Sequence, residues 1–148
     1  MPMTTQDRFA GVWTVSREIE DFATGQPGRF RGLARIRVEG SGLVYAEHGT
    51  LQLGAAKMQA SRVYLWQPEG ATGVAVLFED GRPFHRFDWA QTVSTDSHLC
   101  EEDRYTVRYN FGEESWHAHW RVKGPNKDLA MTALYLRPMP GDVALGEV

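Results

Sequence analysis

Apolar and polar residues alternate with a period of two along most of this chain. In 29-RFRGLARIRVE-39, Phe30, Gly32, Ala34, Ile36 and Val38 fall on one face, and Arg29, Arg31, Arg35 and Arg37 on the other. Such a segment is a strand with one dry face and one wet one. The same pattern runs through 13-WTVSREIED-21, 43-LVYAEHGTLQL-53, 58-MQASRVYLWQ-67 and 73-GVAVLFE-79. It resumes in 83-PFHRFDW-89, 104-RYTVRYNF-111, 115-SWHAHWRV-122 and 129-LAMTALYLR-137. Turn residues separate the runs: Gly25, Pro27 and Gly28, then 40-GSG-42, then Asp80-Gly81, where glycine supplies the positive φ of a hairpin. The count predicts about nine strands. A short helix fits before Trp13, and no amphipathic helix of a dozen residues is predicted elsewhere.

A long antiparallel meander has edges that invite aggregation, and closing the sheet removes them. The predicted fold is therefore all-β: an antiparallel up-and-down barrel with little helix. Gly32 and Gly49 lie inside strands, where glycine lets a barrel bend sharply. A β-sandwich is the competing arrangement. A barrel of this size has room for one small ligand. Residues 1–10 read as an N-terminal lead-in, 11–137 as a single barrel domain, and 138–148 as a loosely ordered tail.

Composition narrows the function classes. With 148 residues, 42% apolar and 24% charged, the chain reads as one globular domain. A net charge of −3 gives no electrostatic reason to expect nucleic acid. No apolar run approaches membrane-spanning length, and MPMTTQDRF lacks the features of a signal peptide. A single cysteine, Cys100, rules out an internal disulfide and fits a cytoplasmic location. Thirteen of the sixteen basic residues are arginine, whose planar fork grips carboxylates and phosphates better than lysine does. A genome rich in G and C gives the same bias.

The triplet 11-GVW-13, just ahead of the first strand, resembles the start of the calycin group, the lipocalins and their relatives. That resemblance implies a tryptophan closing one barrel end, with a late arginine, Arg121 or Arg137, packed on it. The segments 62-RVYLW-66, 80-DGRPFHRFD-88, 98-HLCEEDRY-105 and 124-GPNKD-128 together resemble a bacterial family known only as domain of unknown function 6314. The resemblance implies a calycin-like fold and no reaction. Asn126 departs from it, standing where the family pattern has arginine, so an anion at that loop would be held less tightly.

Strand parity then selects an interior. Arg17, Tyr45, Glu47, Arg62, Tyr64 and Trp66 fall on inward faces of the early strands. Tyr105, Tyr109 and Trp120 do so later in the chain. Between them, 83-PFHRFDW-89 must choose a face; the more apolar choice turns His85, Phe87 and Trp89 inward and Phe84 outward. Two arginines against one glutamate leave a surplus positive charge, which an anionic ligand on an apolar body would neutralise. A closed core holding a satisfied salt-bridge network is the alternative.

The leading functional expectation is a barrel that binds a small anionic, hydrophobic molecule through these inward residues, Trp89 at the strand end excepted, eleven in all. An enzyme on the same scaffold, an acid decarboxylase or other acid–base lyase or isomerase, is the second: it resembles phenolic acid decarboxylases, with Tyr45, Glu47, Arg62 and Tyr64 in such roles, and Glu47, Tyr64 and His85, the last for proton transfer, are the candidate catalytic groups. A haem protein ligated by His85, and a purely structural module, are further alternatives; no cofactor is otherwise expected. His117 and His119 alternate with Trp116, Ala118 and Trp120, which turns them to solvent, so no metal site is expected there. His98, Cys100 and Asp103 are placed in a loop at the barrel mouth, and 124–128 in a turn. Barrels of this type often pair through sheet faces, so a homodimer is compatible with the sequence. No nucleic acid and no membrane are expected as partners.

Overall fold

The computed structural model describes residues 2–139, so most of the tail predicted to be loosely ordered lies outside the described residues. One short helix, α1 (Thr5–Phe9), precedes ten strands. They are β1 (Gly11–Asp21), β2 (Pro27–Glu39), β3 (Gly42–Leu53), β4 (Ala56–Glu69) and β5 (Gly73–Phe78). After these come β6 (Pro83–Asp88), β7 (Val93–Cys100), β8 (Asp103–Phe111), β9 (Ser115–Lys123) and β10 (Asp128–Leu136). All ladders are antiparallel, in the order β6-β5-β4-β3-β2-β1-β10-β9-β8-β7, and the sheet curls into a nearly closed barrel.

The tenth strand is β7, which the alternation rule misses. Its sequence, VSTDSHLC, is polar, and Ser94 is its one fully buried residue. His98 and Cys100 thus lie on a strand, and Asp103 opens the next one; the loop expected there is a tight turn with Glu101 at φ 56°. β7 is an edge. No backbone ladder joins it to β6, and side chains bridge the seam instead. The Arg86 N–H donates to Asp96 Oδ2 at 2.7 Å, and the Asp88 N–H donates to Ser94 Oγ at 3.0 Å.

Gly32 and Gly49 face one another across the β2–β3 ladder. A Cβ on Gly49 would lie 2.2 Å from the Arg31 carbonyl oxygen, and one on Gly32 would lie 2.3 Å from that of His48. The two backbones therefore approach more closely than any side chain allows, and the sheet coils tightly at this point.

One end of the barrel is sealed. Thr4 and Asp7 form a capping box that starts α1, and the helix drops Phe9 into the core with no exposure. The Phe9 ring meets Trp66, Phe87, Trp89, Phe111 and Trp116 edge-on. Trp13 Nε1 donates to the Phe9 carbonyl at 2.9 Å. Of the two arginines expected to cover Trp13, Arg137 does so, its guanidinium 3.9 Å from the ring centroid. Arg121 sits elsewhere, over Phe22. Val38, expected on the dry face, projects past the barrel end and is 52% exposed.

Candidate functional site

The inward faces of the strands meet in a network centred on Glu47. The register sets Glu47 opposite Arg62 on β4, and β1 brings Arg17 from the far side of β2. The Arg17 fork donates to both carboxylate oxygens, at 2.8 and 2.9 Å. Arg17 also donates to the Tyr135 hydroxyl at 3.2 Å. Tyr45 donates to Glu47 over a short contact, so the 2.9 Å bond between Tyr135 and Tyr45 must have Tyr135 as donor. Arg62 Nε lies 3.5 Å from Glu47 and Arg62 also reaches the Tyr64 hydroxyl at 3.3 Å.

Burial alone would raise the Glu47 pKa, but the Arg17 hydrogen bonds and charge, with help from Arg62 and Tyr45, hold it below the usual carboxylate range. Burial keeps Tyr45 and Tyr109 well above the ordinary phenol value. Glu47 is therefore an anchored anion, held by the Arg17 fork and Tyr45. One carboxylate against two guanidiniums leaves one surplus positive charge. It resides on Arg62, whose side chain is 47% exposed while that of Glu47 is sealed in.

His85 is a different kind of group. Its Nε2 shares a 2.8 Å hydrogen bond with the Tyr109 hydroxyl, and burial pushes its pKa down to about 3. At neutral pH it carries no charge. Nδ1 of His85 and Nε1 of Trp116 are both buried without a hydrogen-bond partner.

Two adjoining spaces occupy the barrel. The inner cavity, about 80 Å³, is lined by Arg17, Tyr45, Glu47, His85 and Tyr109 among others. Its size suits a few water molecules rather than a drug-sized ligand, which needs roughly 300 Å³ or more. Outside it lies a vestibule of about 490 Å³, lined by Arg62, Arg82, Lys127, Cys100, Phe78, Val122 and Leu129. The two spaces share Arg62, Tyr64, Phe84, Tyr105 and Met131.

Ten of the eleven residues expected on the site line the inner cavity: Arg17, Tyr45, Glu47, Arg62, Tyr64, Trp66, His85, Tyr105, Tyr109 and Trp120. Phe87 does not; it packs against Phe9 and Trp66 at the sealed end. Phe84, assigned outward by parity, faces inward as well. A β-bulge explains both His85 and Phe84: Val76 pairs with His85 and Leu77 with Pro83, so Phe84 is the extra residue. Trp116, Met131, Tyr135 and Val76 also belong to the wall.

The remaining singled-out residues fall outside the inner cavity. His117 and His119 stack on the outer face at 5.9 Å. Cys100 is exposed at the vestibule, while the His98 ring packs edge-on against Phe84. Lys127 reaches back from the 124–128 turn to donate to Tyr105 at 3.0 Å. Arg82 pairs with Asp80 at 2.7 Å. All four segments that carry the family resemblance thus meet at the vestibule, contributing Arg62 and Tyr64, Arg82 and Phe84, Cys100 and Tyr105, and Lys127. None of the helices among the described residues is long and apolar enough to cross a membrane.

Comparison with known proteins agrees with this architecture. The model of a family of unknown function, DUF6314, matches residues 9–137. No curated protein matches the chain significantly. Among solved structures, the S-type phycobiliprotein lyase CPES from Guillardia theta superposes with a TM-score of 0.67, covering 90% of each chain at 10% identity. Similarity at that identity concerns the fold.

Proposed function

The chain belongs to the DUF6314 family, whose function is unknown, and we propose that it is a calycin-like barrel that binds one small anionic molecule at its open end. The anionic head sits against Arg62 and the apolar body lies in the vestibule, among Phe78, Phe84, Val122 and Leu129. The observation that carries this reading is the position of Arg62. Its guanidinium is half exposed at the junction of the two spaces, and the one carboxylate near it is already committed to Arg17. Arg82 and Lys127 also line the vestibule, but each has a carboxylate partner, Asp80 at 2.7 Å and Asp103 at 3.9 Å, so the uncompensated charge is that of Arg62. A neighbour described as a phycobiliprotein lyase supports the handling of a small molecule on this fold. Binding rather than turnover is the reading that fits a Glu47 held ionised by Arg17 and an uncharged His85.

Isothermal titration calorimetry with a panel of aliphatic and aromatic carboxylates tests the proposal. Arg62→Ala removes a charge-assisted contact and is expected to weaken binding by about tenfold or more, since such a bond contributes about 1.5–3 kcal/mol. Equal affinity in the two proteins would remove the arginine from the site.

A further inference from the structure

The bulge in β6 places Phe84 where no regular strand would put it. His85, its neighbour, keeps the regular inward position, so two consecutive side chains enter the barrel. The Phe84 ring then crosses the lumen. It stacks on Phe78 of β5 at 4.5 Å, on Trp120 of β9 at 5.2 Å and on Tyr64 of β4 at 5.7 Å. It also meets His98 of β7 at 5.4 Å and Tyr105 of β8 at 5.9 Å, both edge-on. One side chain therefore touches rings from five strands on both sides of the barrel. It is 7% exposed, and it lines both the inner cavity and the vestibule.

The geometry points to Phe84 as the plug that divides the channel and sets the length of ligand the barrel accepts. This rests on the reading that an anion binds at Arg62. With the head held there, an apolar tail has two directions: outward into the vestibule, or inward past the ring of Phe84. The ring blocks the inward path, so the native protein takes a compact body and rejects a long tail. The strand that carries the plug is one of the two edge strands. β6 has a ladder on one side only, and its other side is held at the seam by Asp96 and Ser94.

The test is calorimetric titration of straight-chain carboxylates from butanoate to dodecanoate into wild type, Phe84→Ala, Phe84→Leu and Arg62→Ala. In wild type, affinity rises with chain length and then levels off. Phe84→Ala moves that plateau to longer chains by two or more methylenes. Each newly buried methylene tightens binding about fourfold, so the longest chains gain on the order of tenfold. Phe84→Leu shifts the plateau partway and carries the test if the alanine protein does not fold. Arg62→Ala weakens every chain length by a similar factor and leaves the plateau in place. The same plateau in wild type and both Phe84 variants overturns the plug while leaving the anion site standing. No binding by any of the proteins overturns both.

Discussion

Glu47→Leu is the perturbation that most directly probes the interior. It removes the acceptor of the Arg17 fork and of Tyr45 and leaves Arg17, which is 6% exposed, buried beside a second cation. Removing one partner of a buried ion pair costs about 3–5 kcal/mol, because the surviving charge is uncompensated. Arg62 adds less, since its half-exposed side chain can turn to water. For a chain of this length each kcal/mol lowers the melting midpoint by about 2–4 °C, so the loss amounts to about 6–20 °C. Removing both charges is a different matter. In Arg17→Met/Glu47→Leu the two desolvation penalties vanish together, and the hydrogen bond between Tyr45 and Tyr135 survives. The double variant is expected within about 2 kcal/mol of wild type, allowing about 1 kcal/mol for the lost tyrosine acceptor. Urea unfolding at pH 7, followed by the fluorescence of the five tryptophans, measures all four proteins of the cycle. If Glu47→Leu lies within about 1 kcal/mol of wild type, or the double variant is no more stable than the sum of the singles, Glu47 is not the anchor of a buried network.

Two further outcomes follow from the same interior. His85 has a folded pKa of about 3 against an ordinary 6.5, so below pH 6.5 the unfolded chain takes up a proton that the folded one refuses. Its contribution is whole above pH 6.5 and is lost at about 1.4 kcal/mol per pH unit as the pH falls toward 3. His85→Gln should lack that slope in urea midpoints measured from pH 7 to pH 4, whereas an unchanged slope would mean that His85 charges freely in the fold. Gly49→Ala should cost about 1–3 kcal/mol, because its new methyl would meet the Arg31 carbonyl and the Gly32 Cα, both backbone atoms that cannot swing aside. A Gly49→Ala protein as stable as wild type in the same assay would show that the β2–β3 crossing accommodates a methyl group.

Most of the barrel is legible in the sequence because its strands bury one face each, and period two records that burial. Arg17, Glu47, Arg62 and Tyr109 are assigned to the interior by sequence alone, since each sits two or four residues from a tryptophan, tyrosine or valine on the same strand. β7 was not legible because it buries almost nothing: an edge strand with VSTDSHLC carries no alternation to read. Phe84 was not legible for a sharper reason. Parity assumes an unbroken strand, and a single bulge reverses the facing of every residue on one side of it. The proline two residues after Gly81 is the only local hint, since proline favours strand ends and irregular positions. The size of the inner cavity was beyond the sequence as well. It depends on how Phe84, Trp120 and Trp116 fill the lumen, which is a matter of rotamers and not of pattern.

The seam between β6 and β7 also divides the chain in a way that concerns how the barrel assembles. Strands β1 to β6 form one meander and β7 to β10 another, each built only from neighbours in sequence. A single ladder joins the two, between β1 and β10, where Val15 faces Tyr135 across most of the chain's length. Within each meander the loops to be closed are short and their entropic cost is small. Pairing β1 with β10 is the one ladder that must close a loop of more than a hundred residues, and such non-local pairings slow folding. Two ribbons that grow locally and meet once are a simpler folding problem than ten strands closing together.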